Sequence, residues 1–142
     1  MKVIEIYIPG KFQAKQRPRF NKYTMTIYTP RETTTYENWI KQCFINKYKD
    51  FELMTESLAV EIIADFKIPE NKSKTIKSLM AQDRVRPTIK PDTDNIAKTI
   101  LDALNGVAYV DDKQVTQLSI KKRYSKAPGV NVIIWEYDKE GG

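Results

Sequence analysis

The chain predicts an α/β (α+β) fold, one domain over residues 1–142 in which helices pack on a mixed β-sheet. Three observations carry that prediction. Residues 58 to 68 alternate apolar and polar with the two-residue period of a strand. Residues 36–48 and 96–104 repeat apolar positions with the 3.6-residue period of a helix. Strand-like segments also lie at both ends of the chain with the helical segments between them. A length of 142 residues allows a real core but not two ordinary domains.

In chain order, Met1 to Ile8 reads as a strand with Ile4, Ile6 and Ile8 on one face and Val3, Glu5 and Tyr7 on the other. Pro9-Gly10 ends it. A short strand or hairpin arm is expected at residues 23 to 28. Thr29-Pro30-Arg31-Glu32 matches a capping box with proline at the first helical position, and Thr34 with Glu37 offers a second start. The helix that follows presents Tyr36, Trp39, Ile40, Cys43, Phe44 and Lys47/Tyr48 at helical period and should end near Tyr48. Leu58 to Ile68 is the clearest strand. Residues 70 to 90 are basic, with one short helix carrying Ile76, Leu79 and Met80. Asp94 or Asn95 is the expected cap of the next helix, which Asn105-Gly106 closes. Two strands follow, about 115–124 and 130–137, turned by Ala127-Pro128-Gly129.

Composition narrows the chemistry. The 41% hydrophobic and 11% aromatic content is that of a folded chain, and the net charge of +6 favours an anionic partner such as nucleic acid. With Cys43 alone there is no disulfide framework or cysteine zinc site. No apolar run reaches membrane-spanning length and the start does not read as a signal peptide, so a cytoplasmic location without membrane attachment is expected. The chain has no histidine. That excludes Ser-His-Asp and Cys-His triads and every hydrolase with a histidine base. A hydrolase made from these residues must activate water another way, and carboxylate-held Mg²⁺, with Mn²⁺ as a substitute, is the most economical.

The acids stand where that route needs them. Asp92 and Asp94 lie two residues apart, and if that segment is extended they present two carboxylates to one point. Asp111 and Asp112 follow the next helix, where the returning chain would bring a third carboxylate against the first two. Lys98 stands one helical turn beyond Asp94, placed to meet a phosphate or developing charge. A helix cap at Asp94, a solvated turn at Asp111-Asp112 and an ion-pair ladder of Asp94, Lys98 and Asp102 would account for the same residues without a metal. Basic residues form two groups, Lys15, Arg17, Arg19 and Lys22, then Arg84, Arg86 and Lys90. Both are candidate phosphate contacts. Phe20 and Tyr23 are candidates for stacking on bases. A noncatalytic DNA-binding module and a metal-dependent phosphohydrolase of small molecules remain open alternatives on the residues alone.

The run Lys90-Pro91-Asp92-Thr93-Asp94-Asn95, Lys98, Leu101-Asp102-Ala103-Leu104-Asn105-Gly106 and Asp111-Asp112-Lys113-Gln114-Val115 resembles the signature of the RusA family of Holliday junction resolvases. Lys15-Gln16-Arg17-Pro18-Arg19-Phe20 and Tyr28-Thr29-Pro30 resemble its Gram-positive and prophage branch. The resemblance implies an endodeoxyribonuclease that works as a homodimer. It would cut four-way junctions by paired symmetric nicks, in recombination, repair or phage DNA processing. It further implies Asp92, Asp94 and Asp112 as catalytic, metal-holding acids, Lys98 as the motif lysine and Asp111 in support at the metal. No small-molecule cofactor is implied.

Overall fold

Strand β4 (Leu58–Lys67) is the centre around which the sheet is built, and its sequence shows why. Its even-numbered residues Leu58, Val60, Ile62 and Ala64 are all buried, each at 1% exposure or less. A strand this apolar on one face needs a neighbour on each side and a cover over that face. The computed structural model describes residues 2–14, 19–29 and 31–137. Among these, β4 lies between β6 (Gly129–Glu136), antiparallel to it, and β5 (Val115–Ser125), parallel to it. The first strand, β1 (Val3–Pro9), pairs antiparallel with the outer side of β6, giving the order β1-β6-β4-β5. A separate two-stranded hairpin, β2 (Arg19–Asn21) with β3 (Thr26–Tyr28), forms the arm expected at residues 23 to 28 and begins earlier, at Arg19.

Cross-strand register places Ile6 against Val132 and Val132 against Ile62, so the apolar faces of three strands form one surface. Helix α1 (Arg31–Lys47) covers it with Tyr36, Ile40 and Phe44, and α3 (Thr93–Leu104) with Ile96, Ile100, Ala103 and Leu104. Burying a side chain of this size contributes about 1.5–3 kcal/mol each, which makes this layer the main source of stability. Helix α2 (Lys74–Ala81) is the short helix anticipated in the basic segment, and its Met80 is buried beside β5. Pro30 falls outside the described residues, but α1 begins at the residue after it, as that proline suggested.

Two local expectations are corrected. Helix α3 is capped by Asp92, whose Oδ1 accepts from the Asn95 amide at 3.0 Å, and not by Asp94 or Asn95. The helix therefore starts earlier and takes Asp94 into its first turn. The second concerns the C-terminal strands. The turn at Ala127-Pro128 joins β5 to β6 but steps over the end of β4, which occupies the place between them. At Gly129 a Cβ would lie 2.1 Å from the Tyr7 hydroxyl, so only glycine lets the β1 tyrosine cross this turn.

Among the described residues, the opposite face of β1 is exposed. Val3 is 55% and Tyr7 46% exposed, and Val3 stands beside the half-buried Trp135, with Ile133 next along β6.

Candidate active site

All the acids singled out above lie on the connection between the parallel neighbours β4 and β5, and α3 decides where each one goes. At its N-terminus, Lys90-Pro91, joined by a cis peptide bond, leads into Asp92. Asp92 and Asp94 are both exposed there. Anionic groups are favoured at that end by the helix dipole, and Asp92 also satisfies an orphan amide. Because the helix has already begun at Thr93, the two carboxylates are not presented side by side as on a strand. Asp92 faces a cleft of about 430 Å³ whose wall also includes Lys90, Asn95 and Lys122.

Gly106 turns the chain at the other end of α3. Its φ of 73° lies in the left-handed region that glycine tolerates, and its amide donates to the Tyr109 carbonyl at 2.8 Å. Tyr109 is fully buried and its hydroxyl donates to the Leu101 carbonyl at 2.6 Å, fixing the turn against the helix. Asp111 then caps a single 3-10 turn, Asp112–Gln114, in a reciprocal capping box with Gln114. The Gln114 side-chain amide donates to the carbonyls of Met54 and Glu56, tying this turn to the segment before β4. That is the structural work of the glutamine in the Asp-Asp-x-Gln motif. The amide of Asp112 donates to Asn105 Oδ1 at 2.8 Å, which pins the second acid to the C-cap of α3.

The consequence overturns one expectation. Asp111 and Asp112 do not return against Asp92 and Asp94; the two pairs stand at opposite ends of α3. Twelve helical residues at 1.5 Å each separate the ends by about 18 Å. Lys98 is exposed between them on the stripe that carries Asp94 and Asp102. Among the described residues, no three acids gather closely enough to hold one metal ion.

The C-terminal pair is electrostatically crowded. Burial lifts the Asp112 carboxyl above its usual range, and a hydrogen bond and like charge from Asp111, with the charge of Asp102, lift it further. Asp111 is held below the usual range, chiefly by the Lys113 amide that donates to its Oδ1. Burial, and then the charges of Asp112, Asp102 and Asp111, also push the Tyr109 hydroxyl well above the ordinary tyrosine value. Asp102 and Asn105 are thus neighbours of the acid pair that the spacing alone did not assign. Their signal was available: both sit within one turn of the helix end that the Asp-Asp turn must meet. The donors are all oxygen, which suits Mg²⁺ or Mn²⁺, and two carboxyls sharing a hydrogen bond are a charge arrangement that a divalent cation relieves. The donor chemistry fits a metal; the spacing does not let one ion take all three acids from one chain.

The basic residues divide. Lys15 and Arg17 lie outside the described residues. Arg19 and Lys22 are on the exposed hairpin arm, where Phe20 and Tyr23 are 59% and 87% exposed, so neither aromatic belongs to the core. Lys22 lies over the Tyr23 ring. Arg84 and Lys90 are exposed. Arg86, however, makes a two-pronged contact with Asp83 at 3.0 and 3.1 Å, so its charge is compensated and it is a weaker candidate for a phosphate contact.

The chain matches the family model described as Endodeoxyribonuclease RusA over residues 9–135. It is also 29% identical over 140 residues to the uncharacterized protein YqaN of Bacillus subtilis (strain 168), an alignment spanning 96% of this chain and 98% of that one. The matched span takes in both acid pairs, the lysine between them, β4, β5 and all but the last residue of β6. The chain belongs to the RusA family and is an endodeoxyribonuclease, a hydrolase of DNA phosphodiester bonds.

Proposed function

We propose that the protein is a Mg²⁺-dependent resolvase that binds four-way DNA junctions as a homodimer and nicks two strands symmetrically. The family assignment supports junction cleavage. The observation that carries the rest is the split of the acids between the two ends of α3. A divalent ion bound by Asp92, Asp94 and Asp112 would supply an activated water and charge neutralisation at the phosphate. Metal–oxygen bonds are about 2.0–2.1 Å long, so a site using all three calls for Asp112 from a second copy. Two copies also match the two-fold symmetry of a four-way junction. The open sheet face with Val3, Tyr7 and Trp135 offers apolar surface for that pairing, from the first and last strands.

The chain's own residues have defined tasks in this reading. Asp92 and Asp94 hold negative charge at the mouth of the cleft, Asn105 positions Asp112 through its amide, and Asp111 raises the negative potential beside it. Lys98 meets the phosphate from mid-helix, and Lys90, Arg84, Arg19, Lys22, Lys15 and Arg17 track the backbone. Cleavage of four-way, three-way and linear DNA of equal length, with Mg²⁺, Mn²⁺ or EDTA, tests it. Paired nicks on the four-way substrate are expected with either metal and none with EDTA. Equal cutting of linear DNA would reject junction selectivity, and cutting in EDTA would reject the metal.

A further inference from the structure

A second cavity, also about 430 Å³, adjoins the cleft at Asp92 and shares Ile89, Lys90 and Pro91 with it as a dividing wall. Its character differs. Phe12, Phe66 and Tyr124 line it, and Lys11, Lys67 and Lys90 stand at its edge. The volume lies in the range of small-ligand sites, and aromatic walls inside a cationic rim suit a flat ring attached to a phosphate chain. Lys122 ties the two cavities together. Its ammonium lies 5.3 Å from the centre of the Phe66 ring and donates to the Ile89 carbonyl on the dividing wall. The buried carboxylate of Asp65 is held by Arg123 at 2.6 Å and so does not dominate the interior with free negative charge.

We infer that this cavity receives a nucleobase, unstacked from the strand whose phosphate lies at Asp92, and so reads the DNA next to the cut. The inference rests on the nuclease reading above and adds a base contact to it. Charge complementarity argues for DNA over an apolar ligand, since the lysine rim continues the cationic edge of the acid-bearing cleft. An enzyme that must choose where to cut near a branch gains by taking one base out of the stack, because a base held in a pocket can be read along its pairing edge.

The test places 2-aminopurine, one position at a time, across the branch point of a four-way junction bound by the wild-type protein in EDTA. One register should brighten on binding. Tyr124→Ala and Phe66→Ala should return that register to the level of its neighbours and weaken junction binding about tenfold, within the range for loss of one stacked base. Tyr124→Phe should keep the signal. A second measurement needs no variant: 5-iodouracil at the responding register, cross-linked to wild-type protein, should attach to Phe12, Phe66 or Tyr124. A uniform fluorescence response, or cross-links only to residues elsewhere, overturns the base site while leaving junction cleavage standing. Failure of the wild-type protein to bind or cut junctions would instead remove the nuclease reading, and this inference with it.

Discussion

The two ends of α3 hold acids under opposite electrostatic conditions. Asp92 and Asp94 occupy the N-terminal end, where the helix dipole and an open amide favour negative charge. Asp111 and Asp112 meet the C-terminal end, where the dipole disfavours it, and Asp112 is pushed up by burial and by Asp111 and Asp102. The first pair helps the helix to form; the second opposes the local field. Acids kept at a place that folding disfavours point to a role beyond folding, whereas acids at a helix N-terminus need no such role. The comparison therefore makes Asp112 the stronger witness for chemistry and leaves Asp92 with two duties.

Substitution should expose those duties in order of size. Asn at Asp92, Asp94 or Asp112 is expected to lower cleavage by at least about a hundredfold with junction affinity near wild type, measured by single-turnover nicking and gel shift. Near-normal rates in all three variants would leave both pairs without catalytic work. Next, Asp92→Asn and Asp112→Asn proteins assembled together at random should regain about a quarter of the active sites, since about half of the dimers are mixed and one site of each mixed dimer then has its full set. No recovery would mean that each chain builds its site alone. A smaller effect separates cap from ligand at Asp92. Asparagine caps as well as aspartate, so Asp92→Asn should melt like wild type while Asp92→Ala loses about 1 kcal/mol by denaturant titration.

The smallest expected effect is on stability at Asp112. Its folded-state pKa is raised, so folding favours the protonated form; that contribution is present below the unfolded pKa and is lost as pH rises through the folded one. Metal-free Asp112→Asn should accordingly melt above wild type at neutral pH, and the gap should close as the solution is acidified. Added Mg²⁺ should raise the melting temperature of wild type and not of the variant. A variant less stable than wild type at neutral pH would show that Asp112 is a structural acid like Asp92.

The difference between the two ends also marks how far the sequence could be read. Period-two and 3.6-residue patterns located β1, β4, α1, α2 and α3 to within a few residues, because each buries a face that its own residues define. The acidic motif was legible as residue types and spacing. Its geometry was not. The turn after α3 could be foreseen from Asn105-Gly106, but the direction in which Asp112 leaves it depends on the bond to Asn105 and on Gln114 reaching Met54, contacts formed only in the fold. The insertion of β4 between β5 and β6 is likewise nonlocal. The Asp83–Arg86 pair, three residues apart, was within reach of the sequence and was passed over.

Strand β5 carries a consequence for biosynthesis. Every acid of the proposed site, and Lys98, precedes it in the chain, on the connection from β4. Parallel strands cannot be closed by a tight turn, so the long connection must be ordered before their pairing returns any free energy. A chain still being made, with residues up to 114 already exposed, holds the complete acidic motif without the sheet edge that spaces its two ends. On the proposed site, competence to cut DNA is expected to arrive with the last two strands and not with the motif, leaving an incomplete chain inert beside the polyanion that its lysines already attract.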